Sequence, residues 1–492
     1  MKMKNIHVLE EAARCLMCKD APCSLACKKG NPARFLRAIR FGNEKFALSW
    51  IKDCTAKDLE NAERECIHYD RPVRIREIVN ALQKDEFCLS ELPSKGMAPS
   101  LAIEFCGIKC ENPFFLASSA VSTNYDMVAR AFDAGWAGVV YKTICIQDIK
   151  EVSPRFDAVK DVTNEFYGFR NMEQLSENPM DVDFDILCRL KKAYPTKVVV
   201  ASIMGQTEEQ WIQLAIMSEK AGVDAIELNF SCPQMRLESM GSDVGQDPEL
   251  VNMYTSCVKK HVSIPVIAKM TPNITHISQP AKGAYLAKAD GVSAINTIKS
   301  VTMNSHSDVS GKKTVSGYSG RAVKPLALRF ILELAQDSEL KGLQLSGIGG
   351  IENWQDALEF IQLGCRNVQV CTAVMQYGNR IIEDMILGLS NYLAERGIDN
   401  LEDIVGEELP RFVSPHDLDR ETIVYPRVNK ELCIGCGRCY ISCQDGGHQA
   451  IEFNTETRLP RINANRCVGC HLCRLVCPTG AFGVTKRIIK KK

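Results

Sequence analysis

The chain has 492 residues, 45% of them hydrophobic and 24% charged, with 60 basic against 60 acidic side chains. That length exceeds one ordinary domain, and the balanced composition excludes a disordered or collagen-like chain and gives no general basic footprint for nucleic acid. The basic excess of the first fifty residues, ten Lys/Arg against four Asp/Glu, is expected as solvated surface.

The opening MKMKNIHVLEEAARC has no apolar region of signal-peptide length, and no run approaches ~20 apolar residues. Neither secretion nor a membrane span is expected, and the expected compartment is the reducing cytoplasm. The 23 cysteines cluster: six between Cys15 and Cys66, eight between Cys433 and Cys477, nine between those groups. In a reducing compartment such clusters point to metal or redox ligands rather than to a disulfide framework.

In chain order, the expected units are a head over 1–90, a middle over 98–415 and a tail over 425–492. The head carries Cys15-x2-Cys18-x4-Cys23-x3-Cys27 and then Cys54 and Cys66. Six thiols cannot complete two all-cysteine cubanes. The joints are Glu91–Ser100, with two prolines and a glycine, and the stretch from Pro410 to Pro426.

Eight short β-rich runs recur in the middle: Phe114–Ser118, Gly138–Thr143, Lys197–Ile203, Asp224–Phe230, Pro265–Met270, Gly291–Asn296, Leu343–Gly347 and Asn367–Thr372. Between them lie segments with helical spacing, among them Tyr125–Ala134, Thr207–Ala221, Lys324–Ala335 and Trp354–Gly364. Eight such units predict an α/β TIM (β/α)8 barrel, and the cysteine-rich head and tail are expected as a small helical N-terminal iron–sulfur or docking domain and a C-terminal two-cluster ferredoxin domain. An open doubly wound sheet with two extra strands would give a similar string. In a barrel, the run ends form the C-terminal face, which collects Ser118, Ser119, Lys142, Thr143, Asn229–Cys232, Lys269, Asn296, Thr297, Gly347–Gly350, Cys371 and Thr372. Ser, Thr and Asn also cap helices there by default.

The tail contains Cys433-x2-Cys436-x2-Cys439-x3-Cys443 and Cys467-x2-Cys470-x2-Cys473-x3-Cys477-Pro478. In a two-cluster ferredoxin run the fourth cysteine ligates the other cluster. The expected sets are therefore Cys433, Cys436, Cys439 and Cys477 on one [4Fe-4S] cluster, and Cys467, Cys470, Cys473 and Cys443 on the other. A pair of zinc sites uses the same ligand, but with close pairs set far apart. Clusters pass single electrons, so a converter to two-electron chemistry is needed, and a flavin is the usual one. Ser346-Gly-Ile-Gly-Gly-Ile351 lacks dinucleotide spacing and suits a phosphate-binding turn after strand seven. One phosphate fits FMN, which leaves FAD and NAD(P)H to another polypeptide.

Glu227-Leu-Asn-Phe-Ser-Cys-Pro233, Met240–Leu250, Ala268-Lys-Met-Thr-Pro-Asn273, Ile295-Asn-Thr297, Ser316-Gly-Tyr-Ser-Gly320, Ser346–Ile351 and Cys436–Cys443 together resemble the catalytic subunits of bacterial NAD-dependent dihydropyrimidine dehydrogenases. The barrel alone also resembles dihydroorotate dehydrogenases. The resemblance implies an FMN site at Ser118, Ser119, Lys142, Thr143, Lys269, Gly320, Gly349, Gly350, Cys371 and Thr372, with Lys269 beside the N1/O2 edge. It implies a pyrimidine site at Asn171, Asn229, Ser231, Asn296 and Thr297. Cys232 becomes the candidate general acid at the pyrimidine C5, with Ser231 or a water as open alternatives. An isolated barrel cysteine is by default a small buried thiol, the expectation for Cys88, Cys106, Cys110, Cys145, Cys188, Cys257 and Cys365.

Ala13-Arg-Cys-Leu-Met-Cys-Lys-Asp-Ala-Pro-Cys23 resembles the N-terminal iron–sulfur domain shared by glutamate synthase small subunits and dihydropyrimidine dehydrogenases. This copy has no proline after Cys27 and is shortened between Cys54 and Cys66. The resemblance implies one cluster on Cys15, Cys18, Cys23 and Cys66. Cys27 and Cys54 would serve a second only with non-cysteine or partner-supplied ligands. The implied function is interconversion of uracil or thymine with the dihydropyrimidine, with a separate FAD/NAD(P)H-binding subunit as partner in a hetero-oligomer. Two alternatives stand beside it: another substrate such as dihydroorotate, with Gln234–Glu238 re-specifying the pocket, and a non-catalytic electron-transfer subunit.

Overall fold

In the computed structural model, which describes residues 5–83, 99–161, 164–233, 240–303 and 311–489, each of the eight expected runs becomes a strand. They are β1 (Phe114–Leu116), β2 (Gly138–Val140), β3 (Val198–Ile203), β4 (Ala225–Asn229), β5 (Val266–Lys269), β6 (Gly291–Ala294), β7 (Gln344–Ile348) and β8 (Cys365–Val370). Consecutive strands pair in parallel, and β8 returns to β1 with Val368 opposite Phe114, closing the barrel and excluding the open sheet. Strands covered on both faces read as continuous apolar runs rather than alternating ones, and β3 and β4 are buried at every position.

The helices start where the side chains cap them. Asn124 accepts from the Met127 N–H, Thr207 from Gln210, and Asn353 forms a reciprocal box with Asp356. The four expected helices are Tyr125–Ala134, Glu208–Lys220, Lys324–Gln336 and Trp354–Gln362. Trp211 is buried against Phe230 and Tyr254, with ring centroids 5.2 and 5.6 Å away.

Two excursions depart from the plain barrel. Phe156–Lys160 and Phe166–Asn171, between β2 and β3, join Ile298–Ser300 and Ser316–Ser319, between β6 and β7, in a four-stranded antiparallel sheet. Asn171 pairs with Gly317 in that sheet, which places it beside the end of the Ser316–Ser319 strand.

The described chain forms two compact units. One comprises 13–72 and 99–410, the other 5–12, 73–83 and 411–489. The head segment expected over 1–90 therefore contributes to both. Within the first unit, the Pro32–Arg40 helix is capped by Asn31 and carries Arg34, Arg37 and Arg40 at helical spacing, with Arg37 buried. Arg34 and Arg37 pair with Glu383, and Arg37 lies 2.7 Å from Asp384 on the Ile381–Arg396 helix. Asn43 donates to the Asp384 carbonyl at 3.0 Å and Trp354 Nε1 to the Gly42 carbonyl at 3.1 Å.

The second unit contains the tail. Strand Pro426–Val428 pairs with Phe482–Val484 and Ile451–Asn454 with Leu459–Ile462, all antiparallel, around the Arg438–Gly446 helix. Cys439, Cys443, Ala450, Ile451, Cys473 and Phe482 form its buried core. Among the described residues no helix is long and apolar enough to cross a membrane. Of the thiols expected to be inert, Cys110, Cys145, Cys257 and Cys365 are buried, Cys106 and Cys188 are half-buried, and Cys88 lies outside the described residues, as do Gln234–Glu238.

Candidate active site

The C-terminal ends of the strands open on a cleft enclosing about 1070 Å3, part of it open to solvent. Of the residues expected at a cofactor or substrate site, Ser118, Ser119, Lys142, Thr143, Asn171, Asn229, Cys232, Lys269, Asn296, Thr297, Gly320, Gly349, Gly350, Cys371 and Thr372 line it. Ser231 does not. It lies behind the wall, fully buried, and holds two of the lining residues.

One polar chain crosses the cavity floor. Asn296 Nδ2 donates to Ser231 Oγ at 2.8 Å, and Ser231 donates from both its hydroxyl and its backbone N–H to Asn229 Oδ1, at 2.8 and 3.1 Å. Asn229 Nδ2 donates to Thr143 Oγ1 at 2.9 Å, which also meets Ser118 Oγ at 3.1 Å and Ser202 Oγ at 2.8 Å. The Thr297 N–H donates to Asn296 Oδ1 at 2.7 Å. Both amide orientations are therefore set by donors that have no other sense. Cys232, next to Ser231, is buried, and its carbonyl accepts from the Ser242 N–H at 2.9 Å.

Two lysines enter with different partners. Lys142 Nζ meets Glu173 at 2.8 Å, and Lys269 Nζ lies 3.2 Å from the fully buried Glu227. Glu227 also accepts from Ser293 Oγ at 2.7 Å and from Gln369 Nε2 at 3.1 Å. Glu173, Gln369, Ser202 and Ser293 were not singled out from the sequence. Glu173 could have been, because it follows Asn171 at the end of a strand with alternating aromatics. Ser293 is a small residue in a short strand of small and apolar residues, and Gln369 is one of three polar residues in β8 beside Arg366 and Asn367, so neither stands out locally.

The far end of the cavity is built for close backbone approach. Gly320, Gly349 and Gly350 have φ of 92°, 127° and 74°, in the region that only glycine enters without strain. A Cβ on Gly350 would stand 2.7 Å from the Lys324 nitrogen and one on Gly349 2.9 Å from Ala327. Ser319 Oγ and Thr372 Oγ1 meet at 2.9 Å beside this cradle, and burial pushes the Cys371 thiol above its ordinary range. A phosphate on amides and hydroxyls at this end, with a flat polar ring reaching Lys269, fits the donor set.

Each cysteine set of the tail lines its own small pocket. Cys433, Cys436, Cys439 and Cys477 line one, and Cys443, Cys467, Cys470 and Cys473 the other. The fourth cysteine of each run thus lines the pocket of the other run. Gly435, Gly437 and Gly469 turn these loops with positive φ, and His471 does so without being glycine, its ring Nε2 bonded to the Val424 carbonyl at 3.0 Å. In the head, Cys15, Cys18, Cys23 and Cys66 act on one another electrostatically, and burial with those neighbours pushes Cys23 up to about 11. Among the described residues no three His, Cys, Asp or Glu converge tightly enough to chelate a single ion.

Fold and site define a redox barrel with an iron–sulfur module on the same chain. A dihydroorotate dehydrogenase model matches residues 100–393, and a 4Fe-4S dicluster domain model matches residues 426–483. The chain belongs to the dihydroorotate dehydrogenase family and is an oxidoreductase of it. It is 52% identical over 368 residues to the NAD-dependent dihydropyrimidine dehydrogenase subunit PreA of Escherichia coli K12, covering 74% of this chain and 90% of that protein. It is 37% identical to the chloroplastic NADP(+) dihydropyrimidine dehydrogenase of Arabidopsis thaliana, over 65% of this chain and 79% of that one. A dihydroorotate dehydrogenase of Eimeria tenella, solved with ferulenol, shares the barrel fold at TM-score 0.55 and 17% identity, over 64% of this chain and 90% of that one.

Proposed function

We propose that the chain is the catalytic subunit of a dihydropyrimidine dehydrogenase, interconverting uracil or thymine with the 5,6-dihydro form. The observation that carries this reading is the Asn296–Ser231–Asn229–Thr143 chain beside Cys232 and Lys269 in one cavity, in a chain half identical to a subunit of that name.

A uracil ring presents two carbonyl acceptors flanking an imide N–H. With the bonds above counted, Asn296 keeps one acceptor site and one N–H, and Asn229 keeps one N–H, which matches that edge. A ring with another donor pattern would strand a buried amide group at about 1–3 kcal/mol. When bound, FMN supplies hydride exchange at C6, and [4Fe-4S] clusters supply single-electron passage from an FAD/NAD(P)H-binding partner subunit. Cys232 holds the proton exchanged at C5. Lys269, kept in place by Glu227, would supply a positive charge to the flavin when it is bound.

The test is anaerobic mixing of the purified protein with dihydrouracil, dihydrothymine or dihydroorotate while the flavin absorbance is followed. Bleaching by the first two supports the reading, bleaching by dihydroorotate alone assigns the other substrate, and no bleaching by any assigns a non-catalytic electron carrier.

A further inference from the structure

Two head thiols stand apart from the active site and from the four-thiol cluster set. The Sγ atoms of Cys27 and Cys54 lie 3.0 Å from each other. Their approach is built by the local backbone. Asn31 donates its N–H to the Trp50 carbonyl at 2.8 Å, drawing the 50–54 turn onto the segment after Cys27. Gly30 makes room for it, since a Cβ there would stand 2.4 Å from Cys54 Sγ and 2.9 Å from the Trp50 oxygen. Two thiolates on one tetrahedral metal at ~2.3 Å would sit about 3.8 Å apart, so the pair is tighter than a shared ion would hold it. Two cysteines are half of an all-cysteine cluster set.

We propose that Cys27 and Cys54 are a reversible dithiol–disulfide couple, oxidised by a low-molecular-weight disulfide. Cys54, the half-buried member, releases its proton to water and attacks a sulfur of the oxidant, expelling one thiolate. Cys27, 3% exposed, then attacks the mixed disulfide, expels the second thiolate and gives up its own proton. Two protein thiols lose two electrons and two protons, and the oxidant becomes two thiols. Burial and the neighbouring Cys27 push Cys54 up to about 12, so exchange is slow at neutral pH and records sustained rather than brief oxidation. The new bond closes a loop containing the Pro32–Arg40 helix, whose Arg34 and Arg37 grip Glu383. It would staple the head where it holds the barrel.

The test uses the full-length, iron-loaded protein under anaerobic conditions. It is equilibrated with glutathione and glutathione disulfide mixtures, trapped with N-ethylmaleimide, digested and weighed. The expected product is one cross-linked peptide pair joining Cys27 to Cys54, lighter by two hydrogens, with iron retained and a two-electron dependence on the mixture. Cys54→Ser should abolish it and leave Cys27 alkylated. Three results overturn the proposal: both cysteines alkylated at the oxidising extreme, a glutathione adduct left unresolved on Cys54, or reaction only as iron is lost, which would mark the pair as cluster ligands. If the serine variant fails to accumulate, the alkylation pattern of the unsubstituted protein decides alone.

Discussion

Glu227 is a carboxylate sealed inside the barrel, and such a group is tolerated only because Lys269, Ser293 and Gln369 all face it. A buried pair adds little over an apolar one, but breaking it strands a charge. Glu227→Ala is expected to destabilise the barrel by about 3–5 kcal/mol, seen as a lowered denaturation midpoint of the apoprotein. A loss under about 1 kcal/mol would mean that Lys269 reaches water once released. Cys232 is a different kind of residue, a small buried thiol at the cavity wall just after β4. Cys232→Ala should keep its iron and flavin content and lose pyrimidine turnover by about 10²–10⁴-fold, the usual contribution of a general acid. Near-normal turnover would move the role to Ser231 or a water, and Ser231→Ala should then disorient Asn229 and Asn296 together, raising KM as well as lowering kcat.

The Pro32–Arg40 helix shows how an element can be docked by charge and still be strained by it. Burial pushes the Asp384 carboxyl up from 3.8 to about 6, against the pull of Arg37 only 2.7 Å away. Desolvation therefore wins over the ion pair. The folded state holds this proton more tightly than the unfolded chain does, so the stability Asp384 contributes is complete below about pH 4 and lost as pH rises through about 6. Asp384→Asn should gain on the unsubstituted protein across that window, by about 3 kcal/mol at most, and then level off. Thermal midpoints of both proteins from pH 4 to 8 measure the gap, and a gap that shrinks with pH would show the pair to be net stabilising. Sequence reading found the elements here unevenly, for physical reasons. Most barrel strands were legible as short, largely apolar runs left by burial on both faces, although β8 carries Arg366, Asn367 and Gln369, and Tyr125–Ala134 was legible because Asn124 and Gly135 punctuate it. The four-stranded sheet was missed because its halves lie far apart in the chain and each is half-exposed, as in Phe156–Lys160 with no fully buried residue. The cavity residues at strand ends were legible as a class, since barrels place chemistry there. Glu227 was quoted only as part of a motif, because nothing local tells that its partners come from β5, β6 and β8.

At the scale of the molecule, three sets of four thiols are distributed over two compact units. The tail sets belong to the unit containing 411–489, and Cys15, Cys18, Cys23 and Cys66 to the unit that contains the barrel. Within that unit Arg40 donates to the Cys15 carbonyl at 3.0 Å and touches the Tyr377 hydroxyl at 3.5 Å, while Arg380 holds the Met17 carbonyl. The head thiol loop is thereby fastened to the end of the Thr372–Tyr377 helix, which begins at the cavity. Burial and the neighbouring thiols raise Cys15 and Cys23, which resist becoming thiolates unless a cation neutralises them, and cluster assembly would supply iron and release the protons. If all three sets are filled, anaerobically prepared protein should carry about twelve iron and about twelve acid-labile sulfide per chain. Cys66→Ala, far in sequence from the other head ligands, should lower both by about four. Cys470→Ala should do the same by emptying one tail set, and the double variant should retain about four, because the sets lie in separate units and share no ligand. About eight iron in the unsubstituted protein, unchanged by Cys66→Ala, would leave the head thiols without a cluster and reduce its tie to the barrel to a mechanical one.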